Sequence, residues 1–267
     1  MHNIMLRIRF LVPFLILLLH GCASLTQDET ANWTAEEFYN EAKDELNSGN
    51  YESAIDLFSK LEARYPYGRY AQQAQLETAY AHFKADEPDA AIAAADRFIK
   101  LHPRHPNVDY AYYMRGLASF SGAKNFLERF LPQDPSERDP ALARESFQYF
   151  KELVTRFPDS RYTPDAIERM TYLRNNLAQH EVNIGNYYFE RGAYLAANKR
   201  AQYVVENYQQ TPAIPYALGL MIKAYRAMGL NDLANDSLRV LVQNYPDHPV
   251  VTELLQQPAD NDSTTKE

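Results

Sequence analysis

The most regular feature of the chain is a spacing of small and apolar positions that recurs five times. Each copy starts at a small residue, has apolar residues four and seven positions later, and has an aromatic residue or histidine eleven positions later. The small residues that start the copies are Ala54, Ala91, Ser146, Ala197 and Ala234. These offsets lie on one face of an α-helix, and a proline at offset twelve, present in four copies, ends a helix. The pattern therefore predicts five amphipathic helices.

A second amphipathic segment precedes each of these helices, so the helices are predicted to come in pairs. The first such segment, TAEEFYNEAKDEL, begins with Thr34 and has Glu37 three residues later, which is a capping box. Glycines suited to a left-handed helix end lie between paired helices, at Gly49, Gly192 and Gly229. The first two copies are 37 residues apart, and such pairs resemble tetratricopeptide repeats, whose period is about 34. We expect an all-α, tetratricopeptide-like α-solenoid of about five helix pairs.

The N-terminus has the layout of an export signal. Two arginines precede an apolar run at positions 10–19, and Gly21 lies just before Cys22, the single cysteine of the chain. The order Leu-His-Gly-Cys resembles a bacterial lipoprotein cleavage box, which implies that residues 1–21 are removed and that Cys22 carries lipid. The lack of an aspartate after Cys22 favours, by the same resemblance, the outer membrane. The alternatives are an ordinary signal peptide with an incidental cysteine, or a buried thiol.

The distance between successive starting residues is longer than 37 in two places, from Ala91 to Ser146 and from Ser146 to Ala197. The extra residues of the first interval fall in residues 121–140, which are rich in Pro, Asp and Ser and are predicted to form a loop inserted in the third pair. The extra residues of the second interval fall in residues 163–191, predicted to form one long helix that joins an N-terminal and a C-terminal block. The predicted segments are a cleaved signal (1–21), a flexible tether (22–32), pairs one to three (33–158), pairs four and five (159–250) and a polar tail (251–267).

Charge and motif content argue against nucleic-acid binding and against catalysis. The chain has 27 Lys and Arg against 35 Asp and Glu, a net charge of −8, whereas nucleic-acid binding relies on concentrated positive charge. It contains neither a P-loop nor a G-x-G-x-x-G run. His102 and His105 lie close in sequence, but prolines interrupt that stretch, so we predict no metal site. We expect no enzymatic activity and no cofactor, and an enzyme is kept as a second class of hypothesis.

A tethered solenoid is suited to binding other proteins, because its concave surface accepts an extended peptide or a helix. The candidates for such a groove are aromatic and basic residues at the entries to the second and third pairs, namely Tyr67, Arg69, Tyr70, Tyr110, Tyr113 and Arg115. The alternative is that Tyr110 and Tyr113 pack in the core. For Arg115 the groove is favoured, because a buried arginine requires a partner.

Four longer runs are more specific than the repeat itself: RYPYGRYAQQ, HPNVDYAYYMRGL, RDPALARESF and ERGAYLAANKRAQ. Together with the cleavage box and the five pairs, they resemble the BamD family of lipoproteins of the outer-membrane β-barrel assembly machinery. The resemblance covers about residues 33–250. It implies a scaffold that faces the periplasm and helps unfolded outer-membrane proteins to fold and insert.

The resemblance also implies partners and roles for particular residues. The N-terminal pairs are expected to receive the C-terminal aromatic signal of unfolded barrel substrates, with Arg97 and Arg115 holding the terminus. The C-terminal pairs are expected to dock a BamA-like barrel protein through its periplasmic domains and to coordinate accessory lipoproteins. Arg200 matches a family arginine that contacts BamA, and Lys199 beside it adds positive charge. A solvated surface arginine is the alternative for Arg200, and a pilotin for a pilus secretin is the alternative function.

Overall fold

A computed structural model describes residues 30–122 and 140–256 of the chain. Within those ranges the chain is helical and contains no β-strand. The helices are α1 (Ala35–Ser48), α2 (Tyr51–Arg64), α3 (Arg69–Lys84), α4 (Pro88–Leu101), α5 (Val108–Gly122), α6 (Pro140–Arg156), α7 (Thr163–Glu190), α8 (Tyr194–Asn207), α9 (Ile214–Ala227), α10 (Asn231–Asn244) and α11 (Pro249–Gln256). The predictions for the signal, for Cys22, for most of the tether and for residues 257–267 fall outside the described residues.

Helices α1 to α10 form five consecutive pairs, and α11 follows as an unpaired helix. Each helix from α1 to α9 packs against the next one in the chain, across the undescribed segment as well, and α11 packs against α9. The first helices of neighbouring pairs also contact each other, as α1 does with α3 and α3 with α5. The predicted all-α repeat architecture is therefore confirmed.

The recurring spacing marks the core of each pair. Its starting residues are all buried: Ala54, Ala91, Ser146, Ala197 and Ala234. The residues seven positions later are fully buried: Leu61, Phe98, Leu153, Val204 and Leu241. Small side chains at the start let the first helix of a pair approach closely, and the larger ones fill the space beyond it. Ser146, the polar member of the first set, donates from Oγ to the Gly116 carbonyl at 3.2 Å and so meets the cost of its burial.

The capping signals act where the sequence predicts them. The Thr34 backbone N–H donates to the Glu37 carboxylate at 2.7 Å, and the Glu37 backbone N–H donates to the Thr34 hydroxyl at 3.3 Å, which completes the capping box at the start of α1. Helix α1 ends at Gly49, whose φ of +85° lies in the left-handed region that side chains disfavour. These local interactions set the beginning of α1 and the turn into α2.

Helix α7 is the long joining helix that the sequence predicts, with 28 residues. Its first half contributes Ala166 and Leu173 to a core shared with α5 and α6. Its second half contributes Ala178 and Val182 to the core of the C-terminal pairs. One continuous helix therefore belongs to both blocks of the solenoid.

Two predicted boundaries need correction. The polar tail predicted from residue 251 begins too early, because residues 251–256 belong to α11, where Val251 and Leu254 are buried in the C-terminal core. Their apolar spacing after Pro249, a residue favoured in a first helical turn, explains the helix. The predicted insertion 121–140 is also too long at both ends, since α5 extends to Gly122 and α6 begins at Pro140; its remaining residues lie outside the described part.

Candidate functional site: an aromatic groove and a buried glutamate with two arginines

A groove of about 320 Å³ lies along the first helices of the N-terminal pairs; we call it the aromatic groove. Its lining residues are Tyr39, Gln73, Leu76, Glu77, Asn107, Tyr110, Arg161 and Tyr162. They come from α1, from α3, from the start of α5 and from the joint before α7. The groove therefore crosses four successive pairs rather than lying within one.

Three stacked tyrosines form the wall of the groove between α5 and α7. The rings of Tyr113 and Tyr162 are nearly parallel, 17° apart, with centroids at 4.8 Å, and Tyr110 packs on Tyr162 at 5.5 Å. The Tyr113 hydroxyl donates to Asp165 Oδ2 at 2.6 Å, which fixes the stack to the first turn of α7. Packed rings whose Tyr113 and Tyr162 hydroxyl groups are hydrogen-bonded give a rigid, largely apolar wall.

Three tyrosines of this region, Tyr39, Tyr110 and Tyr113, remain neutral in any ordinary buffer. Burial raises the pKa of Tyr113 to about 12, with the hydrogen bond to Asp165 adding to the effect. Burial raises the pKa of Tyr39 to about 12 as well, and the charge of Glu77 acts in the same direction. Burial also moves the pKa of Tyr110 well above the usual value. The hydroxyl groups of these three tyrosines can therefore serve as hydrogen-bond donors and do not become anions.

The two charged residues of the lining are held differently. Glu77 is paired within the protein, since Lys43 Nζ lies 2.9 Å from its Oε1 and the Tyr39 hydroxyl lies at 3.5 Å from the same atom. Arg161 is exposed at the edge of the groove, and its Nη2 donates to the Tyr162 hydroxyl at 2.5 Å. The guanidinium has further N–H donors beyond this contact. The groove is thus close to neutral along its length and positive at the edge formed by Arg161.

The structure brings some of the predicted groove residues together. Tyr110 lines the groove, and Tyr113 lies behind it in the stack. Tyr70 packs against the lining residue Tyr39 with ring centroids 5.5 Å apart, and Arg69 donates to the Tyr70 hydroxyl at 2.9 Å. Tyr67 stands apart from them at 91% exposure in the turn before α3. Tyr110 and Tyr113 both pack against the core, and Tyr110 also faces the groove. A binding role for these tyrosines stays a prediction.

The two arginines expected to hold a substrate terminus lie away from the groove. Arg97 is on a second helix, α4, where its Nη2 is 3.0 Å from Glu62. Arg115 is nearly buried between second helices, with Nη1 2.8 Å from Asp96 and Nη2 bonded to Glu152. Arg115 thus has a carboxylate partner on each terminal nitrogen, although its buried Nε has no hydrogen-bond partner among the described residues, and it ties α5 to α4 and α6. The placement of these two arginines in the groove is corrected accordingly.

A second polar arrangement lies further along α7, and we call it the Glu181 cluster: Glu181, Arg144 and Arg200. The Glu181 side chain is only 4% exposed. Its Oε2 lies 2.8 Å from Arg200 Nη1, and its Oε1 lies 3.5 Å from Arg144 Nη2. The hydrogen bond with Glu181 raises the pKa of the Arg200 guanidinium above its usual value, so Arg200 is fully charged. Lys199, the neighbour named with Arg200 from the sequence, is exposed on α8.

Several residues of these sites escape sequence reasoning. Arg161 and Tyr162 fall in a joint that the repeat pattern treats as a connector. Glu181 follows no recognised motif, and Arg144 lies in the run RDPALARESF, which gives it no individual role. The spacing offers one indication, since Arg161-Tyr162 just before α7 repeats the order of Arg69-Tyr70 at the start of α3. Aligning the residues that precede the first helix of each pair, in addition to the starting residues of the second helices, would find this groove position.

The histidines that were weighed as metal ligands have packing roles. His102 Nε2 is hydrogen-bonded to Gln75 Oε1 at 2.9 Å, and the His105 ring packs edge-on to Phe98 at 5.3 Å. In the described ranges, 30–122 and 140–256, no group of three or more His, Cys, Asp or Glu side chains can hold a metal ion. A search of the same ranges finds no helix that is both long enough and apolar enough to cross a membrane.

The fold and the two arrangements define a helical-repeat protein of the tetratricopeptide type. A family model described as outer membrane lipoprotein, YfiO, matches residues 31–241. A protein of Neisseria meningitidis serogroup A named outer membrane protein assembly factor BamD is 47% identical over 88% of this chain and 86% of its own length. Proteins of the same name from Xylella fastidiosa (38% identity, 87% of this chain, 80% of that protein) and Vibrio cholerae (34%, 85% and 94%) also match.

This chain belongs to the BamD family of outer-membrane lipoproteins. The family predicted from the four sequence runs is thereby confirmed. The relatives carry the name of an assembly factor, so the alternative of a pilotin for a secretin is not favoured.

Proposed function

We propose that this chain is a lipid-anchored scaffold on the periplasmic side of the outer membrane, where it receives unfolded barrel proteins and passes them to a BamA-like barrel protein. Its relatives are named outer membrane protein assembly factors, which supports this function. The observation that carries the proposal is the aromatic groove, because it crosses four pairs and suits an extended chain rather than a compact ligand.

The lining of the groove matches the chemistry of a barrel protein's last strand. Such a strand is extended, alternates apolar and polar residues, and ends in an aromatic residue with a free carboxylate. Tyr110, Tyr162 and Leu76 offer apolar contacts for alternate side chains. The side-chain amides of Gln73 and Asn107 each offer donors and an acceptor for a peptide backbone. Arg161 takes the place first given to Arg97 and Arg115, as the cation for the carboxylate.

The expected strength of this contact suits a protein that must release its substrate. Burying one aromatic or aliphatic side chain of the ligand stabilises the complex by about 1.5–3 kcal/mol. Ordering an unfolded segment costs about 2–5 kcal/mol or more of the gross interaction energy. Two or three anchored side chains and one ion pair at Arg161 therefore leave a modest net affinity. The substrate is held long enough to be oriented and is not trapped.

The proposed docking of the partner uses the other end of the scaffold. Arg200 and Lys199 on α8 present positive charge to the periplasmic domains of the BamA-like protein, and accessory lipoproteins join the same complex. The chain as a whole is acidic, with a net charge of −8, so a local positive site stands out electrostatically. The proposed mechanism is binding and transfer, with no catalytic step and no cofactor.

The proposed anchor is lipid on Cys22, at the end of the predicted signal. Multiple acyl chains give durable attachment, whereas a single chain is marginal. We expect Cys22→Ser to release the protein from membranes, measured by envelope fractionation in cells that lack its partners. A serine variant that still fractionates with outer membranes in those cells would contradict the lipid anchor.

The direct test of the proposed function is affinity purification of the tagged, full-length protein from detergent-solubilised envelopes, followed by mass spectrometry. We expect a large β-barrel protein with repeated periplasmic domains to copurify, and Arg200→Glu to reduce its recovery. Recovery of a secretin, or of no barrel protein, would overturn the proposed function while leaving the fold intact.

A further inference from the structure

We infer that Arg144 and Arg200 together bind one carboxylate of the docked partner, and that buried Glu181 holds both guanidinium groups in position for it. This inference rests on the proposed docking function and extends it. It assigns a role to Arg144, which lies on α6 in the third pair and which the run RDPALARESF contains without giving it an individual role. It also makes the docking site a surface shared by two helix pairs.

The geometry shows one buried acid bridging two arginines. Glu181 uses one oxygen for each partner, Oε2 for Arg200 at 2.8 Å and Oε1 for Arg144 at 3.5 Å. The three residues come from three different helices, α7, α8 and α6. Both guanidinium groups are thus drawn to the same point of the surface.

The charge of this cluster is unbalanced in a way that favours an incoming anion. Two positive groups surround a single negative one, and the acid is 4% exposed whereas the Arg144 and Arg200 side chains are 50% and 42% exposed. Each guanidinium has five N–H donors, and Glu181 occupies only part of them. A carboxylate from a partner would complete the hydrogen bonding and balance the charge.

A close approach of α9 to α7 is built into the sequence one turn beyond Glu181. Gly185 has no side chain, and a Cβ placed there would lie 3.4 Å from the Cβ of Arg200 and 2.5 Å from Leu220 Cδ2. The tight contact is with Leu220 of α9, whereas the Cβ of Arg200 lies at ordinary van der Waals distance. Gly185 therefore leaves room for α9 against α7, and α8 packs beside them close enough for Arg200 to reach Glu181.

Two arginines from different helix pairs would let one partner carboxylate contact both blocks of the solenoid, which a lone surface arginine could not do. Arg144 belongs to the third pair, which carries part of the groove wall, and Arg200 belongs to the fourth pair. A partner carboxylate bound by both would rest on the two blocks at once. Ordinary surface ion pairs contribute about 0–1 kcal/mol because their side chains are mobile, whereas a bridged and partly buried pair is ordered before the partner arrives.

The test measures binding of the full-length protein, purified in detergent, to the purified periplasmic domains of the barrel-forming partner of the same organism. The variants are Arg144→Gln, Arg200→Gln and the double variant. Arg156→Gln is the matched control, because Arg156 lies on the same helix as Arg144, is mostly exposed, and pairs with Glu152 at 2.9 Å. Thermal unfolding of each variant confirms that it is folded.

We expect each single variant of the cluster to weaken binding about tenfold, and the double variant to weaken it clearly less than the product of the two. Arg156→Gln should bind like the unaltered protein. Normal binding by Arg144→Gln with weak binding by Arg200→Gln would overturn the shared site and leave the proposed docking through Arg200 in place. If the double variant loses affinity by the full product of the two single losses, the two arginines bind two separate carboxylates, which would also overturn the shared site. No effect from any variant would overturn the docking proposal itself.

Discussion

The aromatic groove and the Glu181 cluster both lie along α7, but the groove is lined mainly by neutral side chains and the cluster consists of charged ones. Tyr162 precedes the first turn of α7, and Glu181 lies 19 positions further on, about 28 Å along the helix axis. The groove is lined by neutral rings and amides, and its one acid, Glu77, is already paired with Lys43. The cluster leaves a buried acid outnumbered by two half-exposed arginines.

The difference in lining would give one scaffold the two kinds of recognition proposed above. Contacts made by burying rings tolerate many related sequences, since they depend mainly on apolar area. Contacts made by paired charges fix one partner and one register, and they weaken as salt screens them. A protein that handles many substrates but joins one complex needs the first kind for the substrates and the second for the complex.

The largest expected effect is the loss of stability when a core leucine is truncated in one block or in the other. Leu61 and Leu241 occupy the same position of the repeat in the first and fifth pairs, and both are fully buried. Replacing either by alanine should cost about 2–5 kcal/mol of unfolding free energy, measured by denaturant titration. In a solenoid such damage stays near its site, so Leu61→Ala should weaken peptide binding in the groove while Leu241→Ala spares it. Equal losses of peptide binding in both variants would contradict the independence of the blocks.

The groove itself is tested at its stacked wall. Tyr162→Ala removes the ring that packs between Tyr110 and Tyr113, and we expect about tenfold weaker binding of a peptide that matches a barrel protein's last strand. Fluorescence anisotropy of the labelled peptide gives the affinity. Tyr203→Ala is the matched control, because Tyr203 is a half-exposed tyrosine of α8 outside the groove. A similar loss in both variants would show that the groove is not the binding site.

The edge of the groove is tested with a pair of peptides. If Arg161 binds the terminal carboxylate, an amidated peptide should bind the unaltered protein about three- to tenfold more weakly than the free acid. Arg161→Gln should remove that difference, with the free acid falling to the level of the amide. Should the variant keep its preference for the free acid, the carboxylate is held elsewhere.

The sequence predicts the helices well, because their signals are local, and it predicts contacts between helices poorly. The five second helices and the long α7 are predictable because their spacing and their stops are local. Arg115 is mispredicted because it is five positions after Tyr110, which turns it about 140° around the helix, toward Asp96 and Glu152 instead of the groove. Arg161 and Glu181 are missed because their roles arise from helices that meet only in the folded chain.

The smallest expected effect is the pH dependence of stability that comes from Asp165, which accepts a hydrogen bond from the Tyr113 hydroxyl. Burial alone would raise the pKa of Asp165, but the hydrogen bonds from Arg169 and Tyr113 outweigh it and hold the pKa below the usual value. A depressed pKa in the folded state stabilises the protein above pH about 4, and this contribution is lost as the pH falls below that value. Its size should be about 0.5 kcal/mol, because solvent screens a partly exposed group. Comparing unfolding free energies at pH 7 and pH 3 for the unaltered protein and Asp165→Asn measures it, and an equal acid loss in both would contradict the assignment.

As proposed, one scaffold carries two separable binding sites, the aromatic groove for the substrate strand and the Glu181 cluster for the partner. A two-by-two comparison tests this, in which Tyr162→Ala and Arg200→Glu are each assayed for the strand peptide and for the partner's periplasmic domains. We expect Tyr162→Ala to lose the peptide and keep the partner, and Arg200→Glu to do the reverse. If each variant loses both ligands, or if neither loses its own, the two sites are not separable.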